Sequence, residues 1–225
     1  MTVTIGILDS GLGNLVAADS AAFRLDDEGR VVRKSASDTG NKHGAQLAQI
    51  FASTDADIKL LDAQVFSERG ASSPVVVAAG LDWLVDQGAQ AINMSFGLTA
   101  DRFALKQACD RALKAGVVLV AASPARGDPV YPAAYTQVVS VTGDARCSPG
   151  ELSNLATETV QFGACVHPPG GRPGTPNASG ASIAVAHMTG TIAQYLAKHT
   201  NETLKALLAH LTSLCRYRGA EMRTS

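Results

Sequence analysis

The chain has 225 residues, 46% of them hydrophobic and 17% charged, with a formal net charge of −1 at pH 7. That is enough apolar material for one large buried core, and it excludes a disordered chain. The balanced charge lacks the clustered basic surface that nucleic acid or an anionic membrane selects for, and no apolar run approaches the ~20 residues that cross a bilayer, so no nucleic acid and no membrane is expected as a partner.

From the N-terminus, Val3 to Leu8 is a β-branched run that stops at Asp9-Ser10-Gly11, which places Asp9 where a strand gives way to a loop. Met1 to Asp9 reads directly as a strand rather than as a secretory leader, so a cytoplasmic protein is expected. His43 to Ala52 predicts a helix opening on His43, and Ile58 to Phe66 the next strand. Pro74 to Asp86 fits a helix with its proline early, where a missing N–H costs little. Ala91 to Met94 is a short strand running into Ser95-Phe96-Gly97; Asp101 to Ala115 has helical periodicity, with Gly116 in the stop position. Val117 to Ala122 is almost unbroken apolar sequence, as a strand buried on both faces requires. Val138 to Thr142 and Thr159 to Val166 predict further strands, His167 to Gly180 is a Pro- and Gly-rich loop, and Ala181 to Ala197 predicts a helix with Ser182 in its first turn.

Alternating strands and helices define the fold class: α/β, a doubly wound, mostly parallel sheet with helices on both faces. The expected organisation is a single catalytic domain over 1–215, with a polar, basic and frayed ending over 216–225. The cysteines, Cys109, Cys147, Cys165 and Cys215, are scattered without zinc-type spacing and read as free, mostly buried thiols.

Asp9, His43 and Ser182 each lie at a strand end or a helix start, positions that converge at one edge of a parallel sheet. Nucleophilic hydrolysis needs a hydroxyl beside an imidazole that takes its proton, and a carboxylate that fixes the imidazole's tautomer. Each piece alone has a plainer reading. Asp-Ser-Gly is commonly a turn, and a serine opening a helix is commonly an N-cap.

Taken together, Asp9-Ser10-Gly11, His43-Gly44 and Gly180-Ala181-Ser182-Ile183-Ala184 continuing to His187 and Gly190 resemble the subtilase family, whose chain order is also Asp, His, Ser. Gly80-Leu81-Asp82-Trp83, Ile92 to Gly97 and Tyr131 to Tyr135 with Val138 to Gly143 extend the resemblance over about residues 3 to 200. It implies a serine endopeptidase with Asp9, His43 and Ser182 as catalytic residues. It further implies that Ser95, Phe96 and Gly97 pair with an extended peptide substrate as an added strand, and that His187 is structural. Of the remaining histidines, His167, His199 and His210 have no motif around them and read as surface groups.

Two positions depart from the family pattern. Where subtilases carry an oxyanion-binding Asn after the strand equivalent to Val117 to Ala122, this chain has Ala125, and Ser123 or Arg126 is the candidate replacement within an oxyanion region that also includes Ser182. Ala186 stands where a proline usually follows the nucleophile. No cofactor, no metal and no Asp-rich calcium loop are expected, nor is a folding propeptide ahead of Asp9.

A small, slow, cytoplasmic peptidase suits one dedicated cleavage, and in size and character the chain is similar to the maturation peptidases of quinohemoprotein amine dehydrogenase biogenesis. That resemblance implies a precursor of the crosslinked γ subunit as the partner whose leader is removed. The rival from another class is a pseudopeptidase, a peptide-binding or chaperone-like module; the missing Asn favours it and the complete triad opposes it. Ile5 to Gly13 also resembles glutamate racemases, and Gly11 to Leu15 glutamine amidotransferases, but both chemistries need a cysteine nucleophile in a characteristic turn, which is absent from the sequence.

Overall fold

The structure, a computed structural model, describes residues 1–40, 42–170, 180–200 and 202–220. In chain order its elements are β1 (Val3–Asp9), β2 (Asp19–Leu25), β3 (Val31–Lys34), α1 (His43–Ala52), β4 (Ile58–Gln64), α2 (Pro74–Asp86), β5 (Ala91–Met94) and α3 (Phe103–Lys114). There follow β6 (Val118–Ala122), β7 (Val139–Gly143), β8 (Leu152–Asn154), β9 (Phe162–Ala164), α4 (Ala181–Lys198), α5 (Leu204–Leu214) and β10 (Cys215–Arg218).

One sheet of order β10-β8-β9-β7-β6-β5-β1-β4-β2-β3 runs through the molecule. It is parallel except where β2 meets β3 and β8 meets β9. Side chains alternate across it, so β6 sends Val118, Val120 and Ala122 into the layer shared with α1 and α4, and Leu119 and Ala121 into the layer shared with α2 and α3. Both faces are thus covered by helices, which is why β6 is apolar throughout. The register sets the carboxyl edge: Ile7 lies beside Asn93, so Asp9 and Ser95, each two residues further on, leave the sheet at the same level, and Met94 beside Ala121 brings Ser123, two residues past Ala121, to the same edge.

Several elements differ from the sequence expectation. The antiparallel hairpin of β2 and β3 fills a segment with no predicted structure; Asp26 accepts from Glu28 and Arg30 main-chain N–H groups and closes its turn. The strand expected over Thr159 to Val166 is ordered as strand only at Phe162–Ala164, because its antiparallel partner β8 is three residues long.

The ending expected to fray from Arg216 instead supplies β10. Cys215 pairs with Leu152 and Arg218 with Asn154, Arg216 pairs with Glu151, and Arg146 Nη2 donates to the Gly219 carbonyl at 2.8 Å. The rest of that ending, 221–225, lies outside the described residues, as does 171–179 of the predicted loop.

Because β10 completes the sheet edge beside β8, truncation after Leu214 is expected to lower unfolding stability by about 2–3 kcal/mol through the lost main-chain bonds. Urea unfolding of the truncated chain checks this, and an unchanged midpoint would show that β10 contributes nothing.

Candidate active site

Asp9 closes β1. Its carbonyl accepts from Val65 N–H at 2.9 Å, which pins the strand end against β4. The carboxylate is buried, and a buried charge is tolerable only when its oxygens are satisfied. Ser10 supplies its N–H to Oδ1 at 2.7 Å and its hydroxyl at 2.9 Å, while His43 Nδ1 lies 3.0 Å from Oδ1 and 2.9 Å from Oδ2. The bond to Asp9 raises the His43 pKa above its ordinary 6.5, against the opposing effect of burial. With Nδ1–H committed to Asp9, Nε2 carries the lone pair and is the basic nitrogen.

His43 opens α1, and the approach of that helix depends on Gly44. A Cβ at Gly44 would stand 2.4 Å from the Gly11 carbonyl oxygen and 3.4 Å from Asp9 Oδ1. No other residue lets the imidazole come this close to the carboxylate without moving the loop.

Ser182 does not cap α4. Gly180 holds the N-cap position at φ 133°, and Ala184 N–H makes its bond back to the Gly180 carbonyl, which leaves the Ser182 N–H among the first-turn donors with no helical acceptor. The hydroxyl of Ser182 donates to the Ser95 carbonyl at 3.1 Å, and the Ser95 hydroxyl donates to the Ser182 carbonyl at 3.0 Å. Behind this reciprocal pair, Asn93 Nδ2 donates to Ser95 Oγ at 2.9 Å, and Thr189 Oγ1 lies 3.2 Å from Asn93 Oδ1. Asn93 and Thr189 are fully buried. Thus α4 is locked to the end of β5, one strand over from Asp9.

Among the described residues, the main-chain groups of Phe96 and Gly97 make no hydrogen bonds to other backbone segments, and the chain rejoins an antiparallel bridge at Leu98 with Tyr131. Phe96 is held edge-on against Phe66, with ring centroids 5.2 Å apart. Of the candidates for the oxyanion region, Ser123 is buried and its hydroxyl donates to the Thr159 carbonyl at 3.0 Å. Ala125 is exposed and carries no donor, and Arg126 is exposed beside a separate cavity. Ala186 is fully buried within an unbroken α4.

His187 lies on the buried face of α4 and its Nε2 bonds the His167 carbonyl at 2.8 Å; burial lowers its pKa, so it serves as a neutral donor that ties the loop after β9 to the helix. His199 and His210 flank the Tyr195 ring, with centroids 4.3 and 4.7 Å away. The cysteines are unbridged. Burial pushes Cys109 and Cys147 up to about 12, so neither supplies the thiolate that the two cysteine chemistries require. Among the described residues, no group of three or more His, Cys, Asp or Glu side chains is placed to hold a metal, and no helix is long and apolar enough to cross a membrane.

Two residues with no sequence motif brace the Asp9 loop from β4. Asp62 Oδ2 accepts from Leu12 N–H and from Gln64 Nε2, each at 3.3 Å, and Gln64 Oε1 accepts from Ser37 N–H at 3.1 Å. Asp62 Oδ1 is buried without a partner among the described residues. Their sequence signal is a pair of polar residues two apart at the carboxyl end of a strand, which puts both on one face.

Residues 1–220 match the model of the subtilase family. The chain is 27% identical to subtilisin DY of Bacillus licheniformis, covering 94% of its own length and 82% of that protein's. It is 32% identical to the minor extracellular protease Epr of Bacillus subtilis (strain 168) over 72% of this chain and 26% of Epr. The solved structure of sphericase shares the fold, with a TM-score of 0.69 at 18% identity over 94% of this chain and 82% of that one.

Burial pushes the Asp62 carboxyl up to about 6. The unfolded chain gives up that proton at an ordinary carboxylate pKa near 4, so the folded state loses stability as pH rises from about 4 through about 6. Asp62→Asn removes this ionisation. Urea titrations at pH 4 and pH 8 are expected to show the variant gaining on wild type by up to about 3 kcal/mol at the higher pH; a pH-independent difference would contradict the assignment.

Proposed function

The chain belongs to the subtilase family of serine endopeptidases, and from that premise we propose that Asp9, His43 and Ser182 are its catalytic triad and that it removes the leader of one dedicated precursor in the cytoplasm. One observation carries the triad assignment: His43 Nδ1 contacts both oxygens of a buried Asp9 carboxylate at the same sheet edge where Ser95 holds the Ser182 hydroxyl.

In this mechanism the Ser182 hydroxyl leaves the Ser95 carbonyl by rotation about χ1 and attacks the peptide carbonyl as His43 Nε2 takes its proton. Apo geometry of this kind commonly tightens only with substrate bound. The carbon–nitrogen bond then breaks, with the same proton delivered to the departing amine, and water repeats the sequence to release the acyl group. The substrate lies along Phe96 and Gly97, whose main-chain groups offer the pairing edge.

The Ser182 N–H, at the positive end of α4, faces the developing oxyanion. With Ala125 giving no side-chain donor and the Ser123 hydroxyl engaged with Thr159, the site lacks one stabilising bond, which typically costs about 10²–10³ in rate.

A slow turnover fits a single maturation cleavage rather than bulk digestion. Unbridged cysteines fit a reducing compartment. The precursor we name is the γ subunit of quinohemoprotein amine dehydrogenase, on the similarity in size and character noted above. A purely peptide-binding module has no use for the Asp9–His43 pair, so it is the weaker reading.

Peptide hydrolysis is expected to fall by about 10⁶ in Ser182→Ala or His43→Ala and by about 10⁴ in Asp9→Asn. The acid limb of kcat/KM is expected above pH 6.5 in wild type, since His43 must be neutral and its pKa is raised, and to move to lower pH in Asp9→Asn. Hydrolysis that survives Ser182→Ala refutes the triad. Co-expression with the γ-subunit precursor is expected to shorten it by its leader only when Ser182 is present; an uncut precursor beside an active enzyme rejects that partner alone.

A further inference from the structure

Thr189 stands two helical turns beyond Ser182 on α4, fully buried, and the hydrolytic mechanism itself calls for no hydroxyl there. A chain of three hydrogen bonds nevertheless joins it to the nucleophile's main chain. The Ser182 carbonyl can only accept, so the single proton of the Ser95 hydroxyl, 3.0 Å away, goes to it. Ser95 Oγ is then left to accept, and Asn93 Nδ2 donates to it at 2.9 Å. That turns Asn93 Oδ1 to the far side of a fully buried amide, where among the described residues its donor is the Thr189 hydroxyl at 3.2 Å.

Thr189 Oγ1 also lies 2.9 Å from the Val185 carbonyl. That carbonyl, four residues earlier on α4, already has the Thr189 main-chain N–H as its helical donor. Asn93 Oδ1 has no such second source, so it is the group that depends on the hydroxyl.

The consequence reaches Ser182. Without the Thr189 hydroxyl, a buried amide oxygen is left with no donor, which is costly enough to rearrange its surroundings. The nearest proton left for it is that of Ser95, and a reversed Asn93 amide takes that proton away from the Ser182 carbonyl. The bond that ties the first turn of α4 to β5 is then lost. That turn carries both the attacking hydroxyl and the N–H that faces the oxyanion.

We propose that Thr189 is a positioning residue for the hydrolysis: through Asn93 and Ser95 it holds the first turn of α4, and with it the Ser182 hydroxyl and N–H, in line with the attacked carbonyl. This rests on the triad reading of Ser182.

The test compares Thr189→Val, which keeps the shape of the side chain and removes the hydroxyl, with Thr189→Ser, which keeps the hydroxyl. Cleavage of a quenched fluorescent peptide is measured per active site, with sites counted by fluorophosphonate labelling at completion. Thr189→Val is expected to lower kcat by about 10- to 100-fold, the scale for a displaced nucleophile, with KM changed by less than about twofold. The acid limb of its pH profile is expected to stay in place, because the Asp9–His43 pair is untouched. Thr189→Ser is expected to restore most of kcat. In a Ser95→Ala background, Thr189→Val is expected to cost less than about twofold more, since the route through Ser95 is already cut.

Wild-type kcat in Thr189→Val overturns the proposal. So does a loss that Thr189→Ser leaves unrestored, or a loss of equal size with and without the Ser95 hydroxyl, because both patterns assign Thr189 to packing alone. Thr189→Ala, which vacates space in a helix interior without strain, takes the same comparisons if the valine variant does not fold. A wild type that neither labels nor cleaves rejects the triad reading and this inference with it, whereas an active wild type matched by Thr189→Val rejects the inference alone.

Discussion

A carboxylate taken out of water must find partners, and the site is organised around that requirement at Asp9. Its two oxygens are occupied by the Ser10 N–H, the Ser10 hydroxyl and His43 Nδ1. Satisfying them fixes the bend of the chain after β1, the entry of α1 and the tautomer of His43 at once. Losing any one donor leaves a buried charge short of a bond, a penalty of roughly 1–3 kcal/mol or more. The close approach of Gly44 and the brace from Asp62 and Gln64 are the steric and polar supports for this one carboxylate–imidazole pair.

Ser182 is positioned by a different and uncharged device. Ser95 and Ser182 exchange hydroxyl-to-carbonyl bonds, and Asn93 with Thr189 anchors that exchange in the interior. Two short networks, one on β1 and one on β5, are brought together only because those strands are adjacent and in register. A parallel sheet covered on both faces gives such a junction little freedom.

Much of this is legible in the sequence, for physical reasons that differ by element. Central strands such as Val118–Ala122 announce themselves because both faces are buried and every side chain is apolar. Asp9, His43 and Ser182 are legible as polar residues at strand ends and helix starts, and the short motifs around them carry the family resemblance. Asp62 and Gln64 escape because an isolated polar pair in a strand has no motif; only the fold places them behind Leu12. The segment from 204 to 218 is harder. Its apolar residues Leu204, Leu207, Leu208 and Leu211 do recur at helical spacing, but the basic stretch after Leu214 looks like an ending until β8 is seen to need a neighbour. Leu152–Asn154 is too short for alternation to register in any window.

The central claim is that three residues distant in sequence form one working nucleophile at the junction of β1, β5 and α4. Intact-mass spectrometry after exposure to a fluorophosphonate serine probe tests it most directly. The account predicts one stoichiometric adduct, located on Ser182 and abolished by both Ser182→Ala and His43→Ala. Folded wild-type protein that stays unmodified over hours, or an adduct that persists without His43, would contradict it.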